Sequence, residues 1–319
     1  MEKEILNAIN NANDVLILTH VNPDGDTLGS ACALKSYIGD KAQILIQIKD
    51  NFNFPSTYSF LPNINKSLNF STLDENKSYD LVVALDVASI DRLIDGARKV
   101  FQSAKTTISI DHHKTNKGYA NLNYIKGGIS STGEVLYDLF DNLNIKPTYD
   151  MALGLYTAIL TDTGCFKYES TTPHTFKIAS ILSEIGIDTS KIADLCYTNK
   201  PKKLIQFQNE AVLNAKFCLN DKICYTLISK ELMEKYDAKD EYTEGICETL
   251  RSMAPVEVAF VLKETPNGSK ASIRSKKVDA TKIVEKFKGG GHKRAAGCTI
   301  KEDLNKASEL LLKEIKKIL

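Results

Sequence analysis

The chain has 319 residues, which exceeds a typical single domain and predicts two domains. Hydrophobic residues make up 43% of the chain and charged residues 25%, as in a globular protein with a substantial core. The formal net charge of +1 excludes a protein whose overall field attracts nucleic acid, so any polyanion must be bound by a local cluster of cations or metal ions.

The first part of the chain alternates short apolar runs with helical segments. Four runs are nearly continuous and bounded by polar or turn residues, as is typical of buried strands: VLILTH (15–20), QILIQI (43–48), LVVALD (81–86) and TISID (107–111). Apolar residues recur at helical spacing in the segments LGSACALKSYI, SIDRLIDGARKVFQSA, STGEVLYDLFDNLN and ALGLYTAIL. This alternation predicts an α/β domain over residues 1–188, with a doubly wound, mostly parallel sheet.

The pattern changes after about residue 188. A helical segment broken at Pro201 predicts a linker over residues 189–212. Shorter alternating strands follow, KICYTLIS, EVAFVLKET and KASIRS, accompanied by the helices EYTEGICETLRSM and ATKIVEKFK. We therefore expect a smaller α+β domain over residues 213–319, with the active site in the cleft between the two domains.

The sequence has the features of a reduced, cytoplasmic protein with no membrane segment. The polar N-terminus lacks the apolar core of a signal peptide, and the longest apolar runs are too short to span a bilayer. The seven cysteines include no C-x-x-C pair, which argues against a disulfide framework and a zinc–thiolate site.

Acidic residues recur where the predicted strands of the first domain end. Together with neighbouring imidazoles they are His20, Asp24, Asp26, Asp86, Asp111, His112, His113 and Asp162. Because the carboxyl ends of parallel strands meet at one crevice, we expect these side chains to converge there. Clustered buried carboxylates repel one another, and divalent cations would relieve that repulsion.

The candidate ligands also indicate which ions would bind. Carboxylates and imidazoles without thiolates suit Mn²⁺ or Mg²⁺ better than structural Zn²⁺. Their number exceeds what one ion needs, so the better interpretation is two ions about 3.5–4 Å apart that share a bridging carboxylate and activate a hydroxide for attack on phosphorus. A single Asp at a strand end is usually a helix cap or turn former. However, four of the five histidines also fall in these motifs or in the C-terminal glycine segment, which chance does not explain.

Four segments resemble the motifs of the DHH phosphoesterase superfamily: HVNPDGDTLGS (20–30), LDVASIDRL (85–93), IDHHK (110–114) and TDTGCF (161–166). The segment FKGGGHKRAAGC (287–298) is similar to the glycine-rich signature of the DHH-associated C-terminal domain. The similarity extends over essentially the whole chain. It is greatest to the bacterial type that acts as both oligoribonuclease and phosphatase of 3′-phosphoadenosine 5′-phosphate (pAp).

The resemblance implies a role for each motif residue. The implied ligands are His20 and Asp24 for one ion, Asp26, His112 and Asp162 for the other, and Asp86 as the bridge between them. His113 would contact the scissile phosphate and stabilise the transition state or the leaving oxygen. Asp111 would orient the two histidines rather than bind an ion. The residues implied in the chemical step are thus His113, Asp86 and Asp111.

Further residues are candidates for phosphate recognition. Arg92 lies six residues after Asp86, where a guanidinium can meet a phosphate, although a solvated helical arginine fits the position equally well. The candidates in the second domain are Arg274, Gly289, Gly290, Gly291, His292 and Arg294. Consecutive glycines allow close backbone approach to an anion, and the neighbouring cations favour this interpretation over a simple helix end.

The resemblance therefore implies an enzyme with two divalent cations, Mn²⁺ in the first place and Mg²⁺ or Co²⁺ as alternatives. Its substrates would be short single-stranded RNA or DNA oligonucleotides (nanoRNA and dinucleotides), cleaved to mononucleotides, and nucleotide bisphosphates such as pAp, converted to AMP. One alternative is a stand-alone cyclic-dinucleotide phosphodiesterase. An alternative of another class is a non-catalytic nucleotide-binding regulator, against which the intact His113 argues. The resemblance is also consistent with a homodimer.

Overall fold

The computed structural model of the protein describes residues 1–48, 56–198 and 200–319. The chain forms two compact units, Met1–Asn199 and Lys200–Leu319. The segment predicted as a linker contains one helix in each unit, and its residue 199 lies outside the described residues. The division into a domain, a separate linker and a second domain stays a prediction.

The first unit is built on a six-stranded sheet in which every pairing is parallel. Its strands are β1 (Val15–Val21), β2 (Ala42–Gln47), β3 (Leu68–Asn69), β4 (Leu81–Leu85), β5 (Thr106–Asp111) and β6 (Leu122–Ile125). Their order in the sheet is β3-β2-β1-β4-β5-β6. The chain runs outward from β1 and then returns to β4 on the other side, so the order reverses between these two strands. In an open α/β sheet, the crevice at the carboxyl ends of such strands is the usual place for a ligand.

Seven helices lie in the described part of the first unit: α1 (Glu2–Asn11), α2 (Gly25–Ile38), α3 (Asp95–Ser103), α4 (Thr132–Asn142), α5 (Tyr149–Asp162), α6 (Pro173–Glu184) and α7 (Thr189–Tyr197). Alternate residues of β1 enter different cores because side chains alternate along a strand. Val15 and Ile17 pack with α1, α2, α4 and α5, whereas Leu16 and Leu18 pack with α3. Helices therefore cover both faces of the sheet, and the predicted doubly wound α/β fold is confirmed.

Helices α2 and α5 touch backbone to backbone. A Cβ atom added at Gly29 would lie 2.4 Å from the carbonyl oxygen of Gly154, and one added at Gly154 would lie 2.5 Å from the carbonyl oxygen of Gly29. A Cβ at Gly25 would lie 2.5 Å from Oγ1 of Thr161, so the first turn of α2 also adjoins the last turn of α5. This close packing brings the acidic residues of the two helices to one place.

The second unit has a mixed six-stranded sheet. Its strands are β7 (Lys216–Cys218), β8 (Ile223–Ile228), β9 (Val258–Thr265), β10 (Gly268–Ser275), β11 (Gly290–His292) and β12 (Ala295–Ile300), in the order β11-β12-β10-β9-β8-β7. Among the pairings that the structure describes in this second sheet, only β8–β9 is parallel. The helices are α8 (Lys202–Leu213), α9 (Lys230–Lys235), α10 (Ile246–Ser252), α11 (Ala280–Val284) and α12 (Leu304–Ile315). The sheet carries one core with α8 and α10 and another with α11 and α12, as expected for an α+β unit.

The glycine segment of the second unit is the main departure from expectation. The sequence predicts a loop at residues 289–297, but β11 and β12 form an antiparallel pair there. Because glycine has a low strand propensity, the sequence of this short edge strand does not predict a strand.

None of the helices in the described part of the chain combines the length and the apolar character needed to cross a lipid bilayer.

Candidate metal centre

The residues of the four motifs meet at the carboxyl edge of the first sheet. His20 lies near the end of β1, Asp86 directly follows β4, and Asp111 ends β5. Asp26 lies in the first turn of α2 and Asp162 at the end of α5. The predicted convergence of these side chains is thus present in the structure, although their roles as ligands stay a prediction.

One group of potential ligands consists of His20, Asp24 and Asp86, whose ligand atoms all lie within 4.8 Å of one another. Nε2 of His20 is 3.6 Å from Oδ1 of Asp24 and 3.6 Å from Oδ2 of Asp86. Nδ1 of His20 lies 3.0 Å from the carbonyl oxygen of Val21, which fixes the ring with Nε2 toward the carboxylates. Asp24 also caps α2, since its Oδ1 accepts from the backbone amides of Asp26 and Thr27.

A second group consists of Asp26, His112 and Asp162, again with ligand atoms within 4.8 Å of one another. Nε2 of His112 is 3.8 Å from Oδ2 of Asp26 and 3.5 Å from Oδ2 of Asp162. The same nitrogen is 3.5 Å from Oδ1 of Asp86. Asp86 therefore directs one carboxylate oxygen toward each group, which is the arrangement required of a bridging ligand.

Asp111 and His113 form a hydrogen-bonded pair beside these groups. Oδ1 of Asp111 is 2.7 Å from Nδ1 of His113, and Oδ2 accepts a 2.7 Å hydrogen bond from Nδ2 of Asn116. The ring of His112 is held differently, because its Nδ1 lies 3.0 Å from the carbonyl oxygen of Ile129. Asp111 thus contacts only the ring of His113 and reaches His112 through the backbone amide. This differs from the expectation that Asp111 orients both imidazoles.

A different combination, Asp86 with His112 and His113, also has the geometry of a metal-binding group. The structure alone therefore allows His113 a place among the ligands.

Three carboxylates of the centre, those of Asp26, Asp86 and Asp162, are short of positive charge. Burial, with the charge of Asp162 adding to it, raises the pKa of Asp26 to about 7. Burial and the charge of Asp24 raise the pKa of Asp162 to about 6, and burial and the charge of Asp26 raise that of Asp86 well above its usual value. Burial also acts on Asp111, but the hydrogen bond and charge of His113 outweigh it and lower its pKa. A set of imidazole nitrogens and mutually repelling carboxylates, two of them buried, fits divalent cations.

The first turn of α4 belongs to none of the four motifs, and its part in the site was not predicted. The backbone amides of Thr132 and Gly133 donate to Oδ2 and Oδ1 of Asp26 at 2.7 and 3.0 Å. Oγ1 of Thr132 donates to Oδ1 of Asp86 at 3.0 Å. The sequence contains a signal for this turn, because Ser131 and Glu134 have the spacing of a capping box and helix N-termini bind anions.

Arg92 lies in a short 3₁₀ turn at residues 90–92 and is exposed. Burial lowers the pKa of His20 and the charge of Arg92 acts in the same direction, but the neighbouring Asp24 raises it and prevails. The role of Arg92 in binding phosphate stays a prediction.

Two candidate residues of the second unit, Arg274 and His292, lie in one row across the sheet. Arg274 on β10 lies opposite Ala295 on β12, which lies opposite His292 on β11. Residues directly opposite one another project from the same face. Nε of Arg274 donates to Oε1 of Glu248 at 2.7 Å, and Nη1 of Arg294 donates to the carbonyl oxygen of Val278 at 3.2 Å. Both arginines thus have contacts within the unit, which the sequence did not reveal.

The three consecutive glycines differ in the space that their surroundings leave for a side chain. A Cβ at Gly289 would lie 2.4 Å from the carbonyl oxygen of Gly297, and one at Gly291 (φ 143°) would lie 2.4 Å from that of Ala295. Packing against β12 therefore requires both. Gly290 has open space around the position of a Cβ, so it is the glycine whose backbone a ligand can approach.

Comparison with known proteins extends over both units. The DHH family N-terminal domain matches residues 14–159, and the DHHA1 domain matches residues 220–319. A Thermus thermophilus protein named bifunctional oligoribonuclease and PAP phosphatase NrnA is 29% identical over 316 residues, which cover 98% of this chain and 92% of that protein. The crystal structure of an exopolyphosphatase-related protein from Bacteroides fragilis has a TM-score of 0.92 at 23% identity and covers 99% of this chain and 95% of that one. RecJ from Thermus thermophilus, in complex with Mn²⁺, has a TM-score of 0.55 at 13% identity and covers 99% of this chain and 54% of RecJ.

Proposed function

The chain belongs to the DHH superfamily and carries a DHHA1 domain, and on this premise we propose that it is a metal-dependent hydrolase that cleaves short oligonucleotides to mononucleotides. We include the removal of the 3′-phosphate from pAp in the proposal, because the similar Thermus thermophilus protein is named for both activities. That similarity covers nearly the full length of both chains, which supports transfer of the substrate class.

The position of Asp86 between the two ligand groups is the observation that carries the proposal. His20 and Asp24 would hold one divalent cation with Asp86, and the second group would hold another. A pair of such cations supplies the charge that activates water and stabilises the in-line displacement at phosphorus. The oxygen-rich donor set favours Mn²⁺, with Mg²⁺ and Co²⁺ as alternatives.

His113 is the group that we propose for direct contact with the substrate. The buried Asp111 carboxylate lies 2.7 Å from Nδ1 of His113, which orients the ring and directs Nε2 away from Asp111. A protonated His113 can donate from Nε2 to an oxygen of the scissile phosphate or to the leaving oxygen as its charge develops. Arg92, the exposed arginine of the second motif, would supply a positive charge to the substrate phosphate.

The row formed by Arg274, Ala295 and His292 is proposed as a phosphate-binding surface of the second unit. Small residues flank Arg274 and His292 there, since Gly297 and Gly290 lie opposite one another in the same sheet. A local surface of this kind suits a short ligand, whereas a long strand needs an extended basic groove.

Product analysis tests the proposal directly. The purified protein is incubated with a 5′-labelled dinucleotide, a long single-stranded oligonucleotide, pAp and a cyclic dinucleotide, each with Mn²⁺ and with EDTA. We expect mononucleotides from the dinucleotide and AMP from pAp, loss of both with EDTA, and slower cleavage of the long strand. Binding of the dinucleotide without any turnover would instead favour a regulator, and preferential cleavage of the cyclic dinucleotide would favour the alternative phosphodiesterase.

A further inference from the structure

The segment that leads into α4 contacts three of the proposed ligands. The carbonyl oxygen of Ile129 holds the ring of His112, the backbone amides of Thr132 and Gly133 donate to Asp26, and the Thr132 hydroxyl donates to Asp86. Each contact joins parts of the chain that are far apart in sequence, up to 107 positions in the case of Gly133. One turn of helix thus fixes side chains from both ligand groups.

The hydroxyl of Thr132 is the one contact of this segment that depends on a side chain. Thr132 is fully buried and Asp86 is 4% exposed, so water does not readily replace the hydroxyl as a donor to Oδ1. A buried carboxylate that loses its hydrogen-bond donor is still removed from water, so the free-energy cost of its desolvation is no longer offset by that hydrogen bond. A residue without a hydroxyl at position 132 would therefore leave Oδ1 of Asp86 without this hydrogen bond.

Asp86 needs such support because of its backbone. Its φ of 59° lies in the left-handed region, which residues other than glycine rarely adopt and which persists only where the surroundings hold it. The backbone amide of Asp86 donates to the carbonyl oxygen of Ile110 at 3.1 Å, and the Thr132 hydroxyl holds the side-chain carboxylate. With Oδ1 held by the hydroxyl and facing His112, Oδ2 faces His20.

We infer that Thr132 is a positioning residue of the metal centre, whose hydroxyl orients Asp86 so that one of its oxygens faces each ligand group. The inference rests on the proposed function insofar as it takes the cluster for a metal centre. The hydroxyl of Thr132 donates to Asp86, so we place Thr132 behind the ligand rather than among the ligands. It acts through Asp86, as hydrogen-bond partners behind metal ligands generally do.

Isothermal titration of the metal-free protein with Mn²⁺ tests the inference without any substrate. Thr132→Val removes the hydroxyl at nearly constant shape, and we expect it to weaken Mn²⁺ binding roughly 10- to 100-fold. Thr132→Ser keeps the hydroxyl and is expected to restore affinity close to that of the wild type. Thr157→Val is the matched control, because Thr157 is also fully buried but its hydroxyl donates to the carbonyl oxygen of Leu153 within α5.

The outcomes separate this inference from the proposed function. Wild-type affinity in Thr132→Val, or failure of Thr132→Ser to rescue binding, overturns the positioning role alone. Absence of Mn²⁺ binding by the wild type overturns the metal centre as well. Thermal unfolding of each metal-free variant shows that it is folded, and Thr132→Ala, which removes the hydroxyl without adding bulk, serves if the valine variant does not fold.

Discussion

Alanine in place of Gly29 is expected to force α2 and α5 apart and to weaken the metal centre as a result. The added Cβ would lie 2.4 Å from the carbonyl oxygen of Gly154, whereas ordinary contacts of this kind begin at 3.4 Å. A backbone carbonyl cannot rotate away as a flexible side chain can. The two helices must therefore separate locally by about 1 Å, the difference between these distances.

The magnitude follows from two opposing effects. Overpacking of this kind costs about 1–3 kcal/mol, while replacing glycine by alanine within a helix gains up to about 1 kcal/mol. With a rigid clash partner we expect a net loss of about 1–2 kcal/mol, or roughly 2–8 °C in the melting temperature of a unit of this size. Asp26 lies on α2 and Asp162 on α5, so the same shift exceeds the roughly 0.2 Å tolerance of metal–ligand distances.

Thermal unfolding and Mn²⁺ titration measure the two consequences. The matched control is Gly96→Ala in α3, where the three atoms nearest to the added Cβ all belong to the side chain of Glu75, which is flexible and partly exposed. We expect this control to retain or slightly gain stability and to bind Mn²⁺ normally. If Gly29→Ala behaved like the control in both assays, the backbone contact between α2 and α5 would be refuted.

Three further predictions concern the centre itself. Asp86→Ala should lower both Mn²⁺ occupancy and turnover of every substrate, because the residue adjoins both ligand groups, and near-wild-type turnover would contradict its bridging role. The metal-free protein should lose stability as the pH rises from 5 to 8, since the raised pKa values of Asp26 (about 7) and Asp162 (about 6) mean that the folded state holds protons which the unfolded state releases. Mn²⁺ should therefore raise the melting temperature more at pH 8 than at pH 6, and an equal increase at both values would count against this linkage. His113→Gln should lower kcat roughly 10²- to 10⁴-fold while Mn²⁺ affinity stays near that of the wild type; a parallel loss of Mn²⁺ binding would place His113 among the ligands.

Much of the candidate site could be predicted from the sequence because its side chains follow strands. Apolar runs that end in Asp86 and Asp111 indicate both where the strands stop and where the acidic groups meet. The parallel sheet then determines that these ends share one edge. The fold of the first unit follows from the same alternation of strands and helices.

The remaining features depend on groups that residue types do not reveal. The carbonyl oxygen of Ile129 and the amide of Gly133 are backbone atoms, present at nearly every position of any chain. Strand β3 has two residues, too few for a pattern, and β11 consists largely of glycine, which favours a turn interpretation. The ion pair of Arg274 with Glu248 joins a strand to a helix 26 residues away, and sequence spacing does not predict it.

The candidate metal ligands of the site come from segments that extend from His20 to Asp162 along the chain. A bound cation would therefore act as a reversible cross-link, closing several large loops of the first unit at once. Closing each loop costs chain entropy that grows only slowly with its length, so folding of the polypeptide and capture of the ion favour one another. Metal supply would then set not only how fast the protein works but also how much of it stays folded.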